Sequence, residues 1–134
     1  MEHLLALLYR SNALTHENGR EDRKVLEAAR NRNALSGVTG FLHRENDVFY
    51  QWLEGPAENV RGIYRSISED LRHRDMHVLD ERLVAGRSFA GWSMGYSNQS
   101  KASLFDWAAE HGIPLHSPSS DHILEFMLSC SRGR

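Results

Sequence analysis

The chain has a single cysteine, Cys130, among 134 residues. That excludes an intramolecular disulfide framework and suits a reducing cytoplasm. It lacks an excess of either charge: 16 Lys and Arg stand against 18 Asp and Glu, for a formal charge of −2. The basic residues are scattered rather than gathered in a stripe, so nothing points to nucleic acid. It also lacks a membrane-length hydrophobic run. Leu4 to Tyr9 is far too short for a membrane span or a signal peptide, and no basic segment precedes it. There is no Gly-rich phosphate loop, no activated Ser or Cys nucleophile, no internal repeat and no low-complexity segment. Of eight histidines only His73 and His77 have a suggestive i, i+4 spacing. They are expected to straddle a helix end, and no Cys or acidic partner completes a metal ligand set. What remains is one globular domain, 40% hydrophobic and 25% charged, expected in the cytoplasm.

Leu4 to Tyr9 is apolar on both faces, the mark of a central strand covered on both sides. Asn18 with Glu21 three residues later marks a helix start, and the helix should run from about Arg20 to Asn33 and bury Val25, Leu26 and Ala29. Gly37 to His43 and Asp47 to Glu54 read as a hairpin turning at Glu45-Asn46-Asp47. Gly55 breaks the strand and Pro56 suits a first helical position. Val60, Ile63, Tyr64, Ile67 and Leu71 then fall at i, i+3, i+4, i+7 and i+11, an amphipathic helix. His77 to Arg87 reads as a fourth strand and Trp92 to Ser97 as a short fifth. Lys101 to Gly112 and Pro118 to Ser131 read as two helices. The order predicts an α+β, ferredoxin-like βαββαββ fold: a mixed five-stranded sheet, two helices on one face and a C-terminal helical tail. The first and third strands are expected as central, parallel neighbours. The face they leave bare must be covered by the tail or by a second protomer.

The most informative residue is Gln51, inside the apolar strand Val48-Phe49-Tyr50-Gln51-Trp52-Leu53. It shares a face with Phe49 and Leu53. Its amide needs partners, and leaving a buried polar group unmet costs about 1–3 kcal/mol. Tyr9, expected at the end of the first strand, and Asn33, at helical spacing from Leu26 and Ala29, point to the same helix-covered face. Each has a plainer reading: Gln51 as an edge residue reaching water, Tyr9 as core, Asn33 as a helix C-cap. Together they suit recognition of a neutral, planar, hydrogen-bonding ligand in an apolar cleft.

Five segments in order resemble the successive motifs of BLUF domains, blue-light sensors that use flavin. They are Tyr9-Arg10-Ser11; Asn33 with Gly37-Val38-Thr39-Gly40; Phe49-Tyr50-Gln51-Trp52-Leu53-Glu54-Gly55; Asp70-Leu71-Arg72-His73; and Phe89-Ala90-Gly91-Trp92-Ser93-Met94. The resemblance covers about residues 3–97, and a helical tail is usual in the short, single-domain members. It implies FAD as cofactor. It implies that Tyr9 is the electron donor to photoexcited flavin and that Gln51, between them, rearranges or tautomerises its amide to change the hydrogen bonding at the flavin carbonyl. Asn33 matches the asparagine that hydrogen-bonds the polar edge of the ring. Arg32 stands where other members carry histidine or asparagine, a departure from the pattern, and is expected with Tyr9, Asn33 and Gln51 among the flavin-binding residues. Trp92 and Met94 match the fifth-strand pair that sits near the glutamine and passes on its change.

On this reading residues 1–97 form the flavin-binding domain and 98–134 an extension packed on the sheet or at an oligomer interface. No enzymatic activity is expected. Leu104, Phe105, Trp107, Ile123, Phe126, Met127 and Leu128 are more apolar bulk than so short a tail can bury by itself. Output is therefore expected to reach a separate effector protein through the tail, in a homo-oligomer. The rival readings are a ferredoxin-like small-ligand or protein-interaction module without a chromophore, and a small hydrolase using Arg10 for an anion and Asn33 to orient water.

Overall fold

A computed structural model describes residues 4–13, 20–69, 73–114 and 119–132. The elements follow in the order β1 (Leu4–Ala13), α1 (Arg20–Ser36), β2 (Thr39–Glu45), β3 (Val48–Gly55), α2 (Ala57–Ser68), β4 (His73–Val84), β5 (Gly95–Asn98), α3 (Leu104–Glu110) and α4 (Ser120–Arg132). The sheet order is β4-β1-β3-β2-β5. Asn18, Leu71 and the Asp70-Leu71-Arg72 part of one motif lie outside the described residues.

One topological expectation is overturned: β1 and β3 are neighbours but antiparallel. The tight turn at Asn46-Asp47, with Asn46 at φ 54°, forces β3 to run against β2. β1 and β2, joined through the α1 crossover, run the same way on either side of β3, so β3 opposes both. Among the described residues only β5 pairs parallel, along β2 from Phe41 and Gly95 to Arg44 and Asn98. Tyr9 is also not at a strand end, because β1 runs on to Ala13.

The period-2 alternation of β1, β2 and β3 divides the core in two. Leu5, Leu7, Leu42, Phe49 and Leu53 meet Val25 and Ala29 of α1 and Val60, Ile63 and Ile67 of α2. On the opposite face Ala6, Leu8, Phe41 and Trp52 meet Leu104 of α3 and Ile123, Phe126 and Met127 of α4. The tail is thus the cover for the second face. Each fully buried Leu, Ile, Val, Phe or Met among them contributes roughly 1.5–3 kcal/mol of transfer free energy.

Element ends follow from local chemistry. α1 runs three residues past the expected Asn33 and stops in a Schellman motif. Gly37 takes φ 66° and Val38 N donates to Asn33 O at 3.0 Å. Pro56 is the N-cap of α2 rather than its first helical residue. β4 occupies His73–Val84 instead of residues 77–87, which places His73 and His77 on a strand. It is an edge strand with Val78, Leu79 and Leu83 exposed, so burial imposes no clean alternation on it. β5 starts at Gly95, leaving Trp92 and Met94 in the bend before it.

Candidate functional site

Tyr9 and Gln51 are direct register partners across β1 and β3, and both are buried. The Tyr9 hydroxyl donates to Gln51 Oε1. Gln51 Nε2 lies 3.5 Å from Met94 Sδ, giving the chain Tyr9–Gln51–Met94. Tyr64 of α2 closes one side, its ring edge-on to Tyr9 with centroids 5.2 Å apart. The pairing of β1 with β4 shifts register on both sides of Tyr9, an irregularity that sets the local aim of its side chain.

Helix α1 holds the bend that carries Met94. Asn33 Nδ2 donates to Ser93 O at 2.8 Å, and one turn earlier Arg30 Nε donates to Met94 O at 2.9 Å. Asn33 is fully buried, yet its Oδ1 has no partner among the described residues. An orphaned buried acceptor costs about 1–3 kcal/mol, and a ligand N–H beside it removes that cost. A cleft of about 440 Å³ lies between α1 and α2, lined by Arg32, Leu35, Asn59, Gly62, Ile63 and Ser66 among others. It is of a size for a small organic ligand. Leu35, 91% exposed, presents an uncovered apolar wall at its mouth. Gly62 keeps α2 free of a side chain there, in a helix interior where glycine costs roughly 0.5–1 kcal/mol relative to alanine. Asn33 itself lines a second hollow, of about 320 Å³, with Gly37, Arg87 and Ser93, and its unmet Oδ1 suits an N–H donor such as an imide edge.

The rest of the bend is fixed from the other face. Glu54, fully buried, accepts from Trp52 Nε1 and Ser88 N through Oε1, at 2.9 and 2.8 Å. Its Oε2 accepts from Thr39 Oγ1 and Phe89 N at 2.8 and 2.7 Å. A Cβ on Gly95 would meet Phe41 Cδ2 at 2.5 Å and Trp92 Cε3 at 3.0 Å, so glycine alone lets the chain enter β5 here.

The structure brings Tyr9, Gln51 and Met94 together and ties Asn33 to them through the 93–94 backbone. It does not put Trp92 beside Gln51. Trp92 is 39% exposed and packs edge-on to Phe41, whose side chain belongs to the tail-side core. Arg32 lines the cleft mouth. Arg10 lies over the Tyr50 ring, which packs against the tail-side core, so sheet and helix separate it from Asn33 and the hydrolase pair is not assembled. Among the described residues no three or more His, Cys, Asp or Glu gather to hold a metal, and no helix is long and apolar enough to cross a membrane. Arg30 was missed from sequence, although its i, i+3 spacing to Asn33 puts both on one side of α1.

A buried tyrosine–glutamine pair under two helices of an α+β sheet, with an unused amide acceptor on Asn33 and a cleft between the helices, is the arrangement of a ligand-binding domain. A model of the family described as sensors of blue-light using FAD matches residues 4–95, and the chain belongs to that family, BLUF. Domains of this family bind flavin. Over 70 residues the chain is 41% identical to the blue light- and temperature-regulated antirepressor BluF of Escherichia coli, covering 52% of this chain and 17% of that one. Over 103 residues it is 36% identical to the photoactivated adenylate cyclase subunit beta of Euglena gracilis, covering 76% and 12%. The chain thus spans under a fifth of each of these two relatives. Among solved structures, the BLUF protein BlrB in its dark state superposes with a TM-score of 0.83 at 26% identity, over 97% of this chain and 98% of that one. The photo-activated state of BlsA gives a TM-score of 0.79 at 26% identity, over 92% and 91%.

Proposed function

We infer that this chain is a blue-light photoreceptor domain holding FAD non-covalently between α1 and α2. Asn33 and the Tyr9–Gln51–Met94 chain stand at its polar edge, and Arg32 lies at the cleft mouth. The observation that carries the reading is the unequal bonding of Gln51. One end of its amide meets the Tyr9 hydroxyl, and the other meets, among the described residues, a thioether sulfur, a weak acceptor. Reversing the amide would give up little at Met94 while offering Tyr9 a donor in place of an acceptor. A side chain so held has two distinct orientations toward Tyr9 and can store a state without breaking covalent bonds.

Bound flavin supplies the absorption of blue light and the electron acceptor. Tyr9 holds the proton that must leave its hydroxyl when the ring is oxidised, and Gln51 Oε1 is placed to receive it. Gln51 in its reversed orientation releases Met94, which α1 otherwise holds through Arg30. The change then passes through Met94, and through Trp92 on the outer side, toward β5. Residues 1–97 serve as the sensing domain and 98–134 as the extension that reports to a separate effector protein in a homo-oligomer. The balanced charge and single cysteine suit the cytoplasm.

The test is an absorption spectrum of protein reconstituted with FAD, FMN or riboflavin, before and after blue light. A small, reversible red shift with the flavin still oxidised is expected, lost in Tyr9→Phe without loss of flavin. A normal shift in Tyr9→Phe overturns the donor assignment. A protein that retains none of the three flavins overturns the photoreceptor reading.

A further inference from the structure

The tail-side face contains a polar cluster that the flavin site does not use. His43 of β2 is fully buried, and Glu45 and Ser97 are nearly so. His43 Nδ1 lies 2.6 Å from Ser97 Oγ, and His43 Nε2 lies 2.7 Å from Glu45 Oε1. Glu45 also receives the start of α3: Leu104 N donates to Oε1 at 2.9 Å, and Ser103 Oγ and Phe105 N donate to Oε2 at 2.9 and 3.2 Å. The His43 ring stands edge-on to Phe126 of α4, centroids 4.7 Å apart. With its proton on Nε2, facing the carboxylate, His43 accepts the Ser97 hydroxyl at Nδ1, and every member is satisfied. Buried polar networks are costly when one member is lost, so this one is sensitive to its geometry.

Its position gives it a role. Ser97 is the register partner of His43 and lies on β5 three residues after Met94, which is the bend residue that leads into that strand. β5 therefore touches the photoactive chain at one end, through Met94 and Gln51, and the α3 attachment at the other. We propose that His43, Glu45 and Ser97 are positioning residues that make the docking of α3 depend on the placement of β5. Movement of Met94 shifts Ser97, His43 turns with it, and Glu45 loses its alignment with the backbone N–H groups of Leu104 and Phe105. This rests on the photoreceptor reading but goes beyond it, because it assigns the transfer across the sheet to three side chains that the flavin never meets.

The experiment compares hydrogen exchange in darkness and under blue light for flavin-loaded wild type, Ser97→Ala, Ser97→Thr and Glu45→Gln, with the flavin spectrum recorded on each sample. Wild type should show at least a fivefold light-dark difference in exchange over residues 104–110. Ser97→Ala should keep the red shift and lose that difference, while Ser97→Thr, which keeps the hydroxyl, should restore it. Glu45→Gln should raise exchange of α3 already in the dark. If Ser97→Ala keeps the wild-type difference, or if wild type shifts its spectrum with no difference at 104–110, the relay is wrong and the photoreceptor stands. If wild type shows no spectral shift, the photoreceptor reading and the relay fall together. Should Glu45→Gln not fold, the two Ser97 variants decide.

Discussion

At the scale of single residues, the site is built from amides that have more bonding capacity than the protein uses. Asn33 spends Nδ2 on Ser93 O and leaves Oδ1 unmet among the described residues. Asn33→Ala should therefore weaken flavin binding by about 0.5–1.5 kcal/mol, read from fluorescence titration. Unchanged affinity would remove Asn33 from the cofactor's contacts. Met94→Leu keeps the volume but deletes the sulfur, the acceptor that Gln51 Nε2 has at that end. Its dark recovery after illumination should change severalfold, and identical recovery would mean that Met94 does not restrain the amide. Gln51 was legible in the sequence because an amide in an apolar strand face has to be explained. The split of Trp92 from Met94 was not. Which of two neighbouring bend residues turns inward depends on Arg30 and Asn33 gripping the carbonyls of residues 93 and 94, contacts across about sixty positions of chain.

At the scale of elements, α3 depends on a strand residue for its attachment. Burial alone would raise the Glu45 pKa, but the bonds from His43, Leu104 N, Phe105 N and Ser103 more than offset this, and the net shift is below the ordinary 4.5. A carboxyl whose folded-state pKa is depressed contributes stability above its unfolded value and loses it as pH falls through the folded one. The attachment of α3 should hold above about 4.5 and weaken below it. Tryptophan fluorescence, with Trp107 on α3 as a reporter, should show a transition there in wild type that Glu45→Gln lacks. The regular elements were largely readable, since alternation in β1 and β3 and the heptad-like stripe of α2 each reflect a buried face. β4 was displaced in the reading because an edge strand exposed to water leaves no periodic trace. The direction of β3 was misread because periodicity specifies faces and says nothing of polarity.

At the scale of the whole molecule, one sheet serves two cores, and both must be closed. Phe126, 1% exposed, lies in the tail-side core with Trp52 and Phe41. Phe126→Ala should cost about 3–5 kcal/mol in chemical denaturation. A loss below about 1 kcal/mol would mean that the tail is docked too loosely to report on the sheet. The requirement for a second cover was legible from the two apolar faces of β1, whereas its source was not. Nothing in the tail's own pattern distinguishes docking on its own sheet from docking on a neighbour's.

The shortness of β5 has a thermal consequence. Four residues hang from a single neighbour at the edge of the sheet. Ladder hydrogen bonds contribute about 0.5–1.5 kcal/mol each. Against them stands the freedom regained when the strand peels away, about 1–2 kcal/mol per residue and growing with temperature. The balance on this strand is small and tilts as the protein is warmed, well before the longer strands give way. On the photoreceptor reading, warming loosens the same strand through which the light signal is proposed to pass. Its contrast between illuminated and dark protein should fade on warming at temperatures where the bulk of the sheet is still intact.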